Sequence, residues 1–163
     1  MNNTLEKPKR KLSLGIKLGY GMGSFGENLA YNVFYTYFLV FLTNYAGINA
    51  GIAGTIALVA VLWDGVIGVL AGYCSDRSTN PKGKRRPFMS RFAVPFGIMC
   101  CLLFSDFGLT GGAQIAYFIV MNVVFWLFFE LTDVPYLTFA NEITNDPSEK
   151  LSLRSYATML NYG

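Results

Sequence analysis

Residues 28–63 read NLAYNVFYTYFLVFLTNYAGINAGIAGTIALVAVLW and contain no Asp, Glu, Lys or Arg. A helix that crosses a membrane needs about 20 predominantly apolar residues, so this stretch is too long for one crossing and long enough for two with a turn between them. Over all 163 residues, 53% are hydrophobic and only 14% are charged. Because about a quarter of the residues in soluble domains are charged, the composition predicts an integral membrane protein.

Turn residues divide the apolar chain into predicted helices. Residues 44–49 separate the first helix from the second, and Gly111 with Gly112 separates the third from the fourth. Pro95 and Pro135 are expected to bend the third and fourth helices, because proline lacks the amide hydrogen that a helix uses. The predicted helices lie at about 18–45, 50–74, 88–109 and 114–141, with an incomplete helix at 153–163.

The fold class is therefore an all-α polytopic membrane protein with four full transmembrane helices and the start of a fifth. Residues 153–163 would reach only about halfway across a bilayer. The alternative, an interfacial helix, is less favoured because the segment is only weakly amphipathic. We expect residues 18–163 to be part of the N-terminal bundle of a longer protein.

The thirteen Lys and Arg residues fall on alternate loops between the predicted helices. They lie up to Lys17, from Arg77 to Arg91, and after residue 142, while none lies at 44–49 or 105–113. Basic loops stay in the cytoplasm, so residues 1–17 are predicted to be a cytoplasmic N-terminal segment.

We expect a multi-pass protein of the cell membrane in contact with lipid. The basic run Gly83–Pro87 is interpreted as a cytoplasmic anchor between two spans. A nucleic-acid patch is the less favoured interpretation, and no nucleic-acid partner is expected. The apolar stretch after the basic start is too long for a signal peptide, so no cleaved segment is expected.

The chain has no histidine, which excludes imidazole-based triads, histidine-ligated zinc and histidine proton relays. Cys74, Cys100 and Cys101 form no C-x-x-C pair and are interpreted as reduced structural thiols. The remaining candidates for functional chemistry are the carboxylates of Asp and Glu.

Four acidic residues lie within or near the predicted spans: Glu27, Asp64, Glu130 and Asp133. A charge in a bilayer costs several kcal/mol unless it faces a cavity, a partner or a cation, so such acids are functional candidates. Glu130 and Asp133 lie on one helical face, and Asn122 with Trp126 extends that face into a polar and aromatic strip.

The first helix has a second polar strip, formed by Asn28, Tyr31, Asn32 and Tyr35. Asn and Tyr also join membrane helices, at about 1 kcal/mol each, so interhelical contact is the alternative. Two strips with carboxylates favour a path for a solute. Glycines at four-residue spacing, such as Gly68 and Gly72, are interpreted as close-packing positions.

A carboxylate cluster in a membrane has three plausible functions. It can coordinate Na⁺ or carry H⁺, so that an ion gradient drives the transport of a solute. It can form the active site of an enzyme, but Asp64 and Asp133 lack the glycine-rich surroundings of intramembrane aspartyl proteases. Asp64 with Asp76 likewise gives only a fragment of the metal-binding motif of a lipid head-group transferase. It can also form buried contacts in a membrane interaction protein. No enzymatic activity is expected.

The chain resembles the glycoside-pentoside-hexuronide:cation symporters, the melibiose-carrier group of the major facilitator superfamily. The resemblance covers nearly the whole chain, and four motif regions carry it in order: Tyr20–Asn28 (YGMGSFGEN), Gly54-Thr55 leading to Leu62-Trp63-Asp64, Asp76-Arg77 with Gly83–Pro87, and Asp133-Val134-Pro135. That family has twelve helices in two six-helix halves. The resemblance implies that this chain is most of the first half.

The resemblance also implies roles for individual residues. Asp64 matches a cation ligand, so Na⁺ at Asp64 is expected, and Asp133 matches a residue that holds sugar hydroxyls. The melibiose carriers have a second cation-binding aspartate one turn after the first, and this chain has Gly68 at that position. Glu130 falls where those carriers have a cation-binding threonine, and Asn28 matches their sugar-binding aspartate in the first helix. We expect Glu130 and Asp64 together to bind the coupling ion, with H⁺ at least as suitable as Na⁺.

The expected function is cation-coupled transport of a sugar or glycoside by alternating access, with no other cofactor. The predicted substrate-binding residues are Asn28, Asp133, Glu27, Asn32 and Trp126. The loop expected to hold one bundle conformation contains Asp76, Arg77, Arg85 and Arg86. Because such sites lie between two halves, the chain should need the C-terminal half as a partner. The alternative is a membrane interaction protein that does not transport.

Overall fold

The computed structural model describes residues 11–77 and 85–162, except for the side chains of residues 75, 76, 87 and 88. These residues form helices and turns, and no strand occurs among them. The five α-helices are α1 (Leu14–Val40), α2 (Ala50–Asp76), α3 (Arg86–Leu103), α4 (Gly111–Ile143) and α5 (Pro147–Tyr162). Residues 1–10 of the predicted cytoplasmic segment lie outside the described residues.

Two of the helices are long and apolar enough to cross a membrane. They are Ala50–Cys74 in α2 and Gly111–Ile143 in α4, while Met89–Leu103 in α3 is a shorter apolar helix. The all-helical chain with two clear apolar spans agrees with the predicted fold class at this level.

A π-helical turn, Phe41–Tyr45, continues α1 into the first loop. The amide of Ala46 donates to the carbonyl of Phe41, and the amide of Ile48 donates to that of Leu42, both at 2.9 Å. Gly47 adopts a φ of 66°, a conformation that favours glycine, so the chain can reverse here.

Two helix boundaries differ by about six residues from the expected positions, more than the other boundaries do. The third helix ends at Leu103 instead of near residue 109, since Gly108 has a φ of 68° and its amide donates to Asp106 Oδ1 in the following turn. The last helix begins at Pro147, six residues before the expected start at 153. Asp146 caps it by accepting from the amide and hydroxyl of Ser148, and proline suits the first position of a helix.

The contacts divide the chain into two compact units: unit 1 contains Met1–Asn28 and Ala140–Gly163, and unit 2 contains Leu29–Phe139. The core of unit 2 is largely aromatic, with the Phe34 ring stacked on Phe125 at 5.2 Å and on Phe38 at 4.7 Å. In a membrane, close packing of this kind supplies the attraction between helices, because lipid is as apolar as the side chains.

Contacts along α4 show the directions of the other helices in unit 2. Along α2, Ile56 contacts Asn122 and Gly72 contacts Val134, so α2 and α4 run parallel. In contrast, α1 runs antiparallel to α4, with Tyr31 beside Trp126 and Phe41 beside Phe118. The order of contacts is also reversed for α3, since Phe92 lies beside Phe128 and Leu102 accepts from Tyr117. Successive helices of unit 2 therefore alternate in direction.

Unit 1 packs α5 parallel to the first half of α1. At their starts, the Lys17 ammonium lies 2.9 Å from Glu149 Oε2 and donates to Ser152 Oγ at 2.8 Å. Seven residues further along α1, Asn161 donates to Ser24 Oγ at 2.8 Å. Gly21 lies between these contacts, where the backbone of α5 comes close. The two helices thus begin at the same end of unit 1.

Candidate functional site

Two acidic side chains meet between α2 and α4 in unit 2. The carboxyl groups of Asp64 and Glu130 are in hydrogen-bonding contact, and Asp133, one turn further along α4, is close enough to interact electrostatically with Glu130. Asp64 Oδ1 is buried and has no hydrogen-bond partner among the described residues. Two carboxylates in contact repel each other, so a proton or a cation between them is needed to hold the pair together.

A glycine on α2 makes room for the Glu130 carboxyl group. A Cβ atom built on Gly68 would lie 3.1 Å from Glu130 Oε2 and 3.7 Å from Glu130 Cδ. One turn later, a Cβ on Gly72 would be in ordinary contact with Val134 Cγ1 at 3.7 Å. The sequence interpretation assigned these glycines to helix packing, and the structure adds that Gly68 leaves space for the Glu130 carboxyl group.

The expected Na⁺ ligation at Asp64 stays a prediction. Among the described residues, no group of three or more Asp, Glu, Cys or His side chains is arranged to hold a metal ion. The pair formed by Asp64 and Glu130 is therefore the feature of the site that the proposals below use.

Aromatic side chains border the carboxyl pair. Trp126 is fully buried, and its ring lies 6.2 Å from the Tyr31 ring and 5.9 Å from the Tyr35 ring. Tyr31 and Tyr35 are 43% and 47% exposed, with ring centroids 4.5 Å apart and their hydroxyls in hydrogen-bonding contact. Tyr35 also lies within electrostatic range of Asp64. Tyr31 and Tyr35 thus offer accessible aromatic surface beside the buried ring of Trp126.

The other predicted substrate-binding residues are distributed over both units. Asp133 is half-buried and Asn32 is exposed in unit 2, while Glu27 and Asn28 are half-buried in unit 1. Their roles as sugar ligands stay predictions. The structure brings together Asp64, Glu130 and Asp133 among the predicted site residues of unit 2.

The predicted conformational loop is described only at its two ends. Arg77 places its guanidinium 4.6 Å from the Tyr73 ring centroid, and Arg85 donates to the Thr138 carbonyl at 3.4 Å. Arg86 is exposed. The side chain of Asp76 and residues 78–84 lie outside the described residues.

Comparison with known proteins gives relatives that are named as transporters. The chain is 34% identical over 149 residues to the inner membrane symporter YicJ of Escherichia coli K12, with 91% of this chain and 32% of the relative covered. It is 33% identical over 150 residues to the putative glycoside/cation symporter YagG of the same organism, covering 92% and 33%. The isoprimeverose transporter of Lactiplantibacillus pentosus is 28% identical over 137 residues, covering 84% and 29%.

The chain spans about a third of the length of these relatives. They agree with the resemblance to glycoside:cation symporters that the motifs indicated, and they are proteins of sugar transport and symport. A family model described as MFS/sugar transport protein matches residues 19–163. Since this match extends over most of the chain, with a carboxyl pair between two apolar helices, the chain belongs to the MFS/sugar transport protein family.

Proposed function

We propose that this chain forms part of a cation-coupled symporter for a sugar or glycoside, and that Asp64 and Glu130 bind the coupling ion. The contact between these two carboxyl groups is the observation that carries the proposal. Placing two acidic side chains between membrane helices costs free energy, so such residues are functional candidates. Reversible binding of an ion is a function that a pair of carboxyl groups can perform. The name of one relative, a putative glycoside/cation symporter, supports the same function.

The coupling ion is H⁺ or Na⁺. A single proton joins two carboxyl groups without further ligands, whereas Na⁺ would require more oxygen atoms around it. The Asp133 carboxyl group is an acidic neighbour of Glu130 in unit 2. We propose that binding of the ion neutralises the pair, so that the loaded site can change its exposure during alternating access.

We propose that polar and aromatic residues bind the sugar. The exposed rings of Tyr31 and Tyr35 offer apolar faces with hydroxyl groups at their edges, which suits a sugar ring. In unit 2, Asp133 and Asn32 would form hydrogen bonds with sugar hydroxyls. Glu27 and Asn28, in unit 1, are proposed as sugar ligands on the family resemblance alone. Trp126 would support the two tyrosines, because its buried ring lies beside them.

We also propose the topology of the chain: a multi-pass protein of the cell membrane with its N-terminus in the cytoplasm, four full spans and a fifth helix. The alternating directions of the helices in unit 2 and the common starting end of α1 and α5 in unit 1 support it. The binding site would be completed by the C-terminal half, so the chain should not transport alone. An enzymatic activity is not proposed.

The test is sugar uptake by cells that express in full the reading frame encoding this chain. Radiolabelled isoprimeverose, the sugar in the name of one relative, and methyl glycosides serve as probes at acidic and neutral pH, with and without Na⁺. We expect ion-dependent uptake that Asp64→Asn and Glu130→Gln abolish. Asp106→Asn is the matched control, because Asp106 is an exposed acid in the turn after α3.

Each outcome decides between the candidates. If Glu130→Gln leaves the pH and Na⁺ dependence of uptake unchanged, the carboxyl pair is not the coupling site. If none of the probes is taken up and the purified protein forms a stable complex with another membrane protein, the alternative of a membrane interaction protein is favoured.

A further inference from the structure

Two hydrogen bonds join α2 to α4 next to the carboxyl pair. The Asn122 side chain on α4 donates through Nδ2 to the carbonyl of Ile56 at 2.8 Å. In the other direction, the Trp63 indole on α2 donates through Nε1 to the carbonyl of Val123 at 3.0 Å. Each helix thus supplies one donor and one backbone acceptor. We call Asn122 and Trp63 with these two carbonyls the reciprocal clamp.

The reciprocal clamp fixes how far α2 and α4 can slide past each other. Both acceptors are backbone atoms, so their positions along the helix do not change with side-chain rotamers. Ile56 and Trp63 are about 10 Å apart along α2, at 1.5 Å per residue. A slip of one residue would shift a helix by about 1.5 Å and turn its side chains by about 100°. Either bond would break, because N–H···O bonds tolerate only a few tenths of an ångström.

The site beside the clamp needs this register. Asp64 directly follows Trp63, and Glu130 lies about two turns beyond Val123 on the same side of α4. Glu130 Oε2 lies 3.1 Å from the position that a Cβ would take on Gly68, so a slip that brought a residue with a side chain to this level of α2 would crowd the carboxyl group. Asn122 is fully buried, so its bond to Ile56 is shielded from water.

We propose that Trp63 and Asn122 are positioning residues of the coupling site: their bonds to Val123 and Ile56 set the register that brings Asp64 against Glu130. The inference rests on the proposed function of the carboxyl pair. It assigns to these two side chains a role in ion coupling in addition to the cohesion that any interhelical hydrogen bond provides.

The test observes the carboxyl pair directly by infrared spectroscopy. The sample is the protein encoded by the full reading frame, purified in detergent. The carbonyl stretching band of a protonated carboxyl group shifts to higher frequency when the group loses a hydrogen bond. The band of interest is the one that Glu130→Gln removes. Trp63→Phe, which keeps an aromatic ring and removes the N–H donor, should shift this band upwards.

Tyr117→Phe is the matched control. It removes a bond of the same kind, from the Tyr117 hydroxyl to the Leu102 carbonyl at 2.7 Å, but between α4 and α3. We expect the carboxyl band to stay in place in this variant. Asn122→Ala, which removes the other half of the clamp, carries the test if Trp63→Phe loses its helical circular dichroism.

The outcomes separate the two claims. A band that moves in Trp63→Phe or Asn122→Ala, and not in Tyr117→Phe, supports the positioning role. A band that is present in the unaltered protein and identical in folded clamp variants overturns the positioning role and leaves the carboxyl pair intact. If, in acidic buffer without Na⁺, neither Glu130→Gln nor Asp64→Asn removes a band, the two carboxyl groups do not share a proton, and the positioning role is overturned together with the proposed pair.

Discussion

Glu130 Oε2 lies 3.1 Å from the position that a Cβ atom would take on Gly68. The carboxyl group of α4 therefore occupies the space that a side chain on α2 would otherwise fill. The resemblance implies that the melibiose carriers have an aspartate where this chain has Gly68 and a threonine where it has Glu130. In this chain an acid reaches the same region from the opposite helix.

This fit predicts that Gly68→Ala weakens ion coupling. The added methyl group would force the Glu130 carboxyl group to move by a few tenths of an ångström, away from its contact with Asp64. We expect roughly a tenfold loss of ion-driven sugar accumulation, since a misplacement of about 1 Å in a catalytic site costs about a hundredfold. The measurement is uptake at several pH values and Na⁺ concentrations.

Gly54→Ala is the control for this prediction. A Cβ on Gly54 meets no atom within 4 Å, and the residue lies on the same helix, α2, so both variants change helix propensity equally. Accumulation should be unchanged in Gly54→Ala. Equal accumulation in Gly68→Ala would show that the close fit does not matter for coupling.

The ion pair at the starts of α1 and α5 predicts a dependence of stability on pH. The Lys17 ammonium and then the amide of Leu12, both bonded to Glu149, lower the pKa of its carboxyl group below the ordinary 4.5. In the unfolded chain this carboxyl binds its proton at higher pH. Glu149 thus stabilises the fold above pH 4.5, and this contribution is lost as the pH falls below 4.5 through the folded value.

Thermal unfolding of the purified protein as a function of pH checks this sign. Glu149→Gln should unfold at lower temperature than the unaltered protein at neutral pH, and the difference should shrink in acid. Lys17→Gln should behave in the same way, because it removes the other partner. Asp106→Asn serves as the control, and a constant difference across the pH range would contradict the assignment.

The close approach of α5 to Gly21 predicts a loss of stability in Gly21→Ala. A Cβ there would lie 2.6 Å from Leu160 Cδ1 and 3.2 Å from the backbone oxygen of Tyr156, so the Leu160 side chain must move aside and the α5 backbone must yield by a few tenths of an ångström. Overpacking of this kind costs about 1–3 kcal/mol. Gly26→Ala, whose Cβ meets no atom within 4 Å, should be neutral in the same denaturation experiment. Equal stability of the two variants would show that α5 yields without strain.

The helices were the part of the structure that the sequence could predict. Uncharged stretches and turn residues mark where a helix starts and stops, and the family assignment followed from motifs at defined places along them. The ends that differed, at Leu103 and Pro147, depend on local capping. A capping aspartate before a proline, as at Asp146, was visible in the sequence and could have placed the start of α5.

The contacts between helices were less accessible to sequence analysis. Acids on α2 and α4 could be recognised as candidates, but their meeting depends on the rotation and register of two helices, which hydrophobic periodicity does not determine. The sequence placed Trp126 on a polar strip, whereas the structure buries it beside Tyr31 and Tyr35. Burial is decided by the neighbouring helix, so a single strip of sequence could not show it.

The alternating positive charges predict which loops face the cytoplasm, and single cysteines can test this prediction. The native cysteines Cys74, Cys100 and Cys101 are first replaced by alanine. Exposed positions are then changed one at a time in the full reading frame: Lys11→Cys before α1, Tyr45→Cys after the π-helical turn, and Phe107→Cys in the turn after α3.

An impermeant maleimide applied to intact cells should label Tyr45→Cys and Phe107→Cys, because their loops contain no Lys or Arg and are expected outside. Lys11→Cys should react only after the cells are opened, since it lies in the basic N-terminal segment. Glu142→Cys, at the end of α4, should follow Lys11→Cys if α4 returns the chain to the cytoplasm. Labelling of Glu142→Cys in intact cells would mean an odd number of crossings before α5, which conflicts with the alternating helix directions of unit 2.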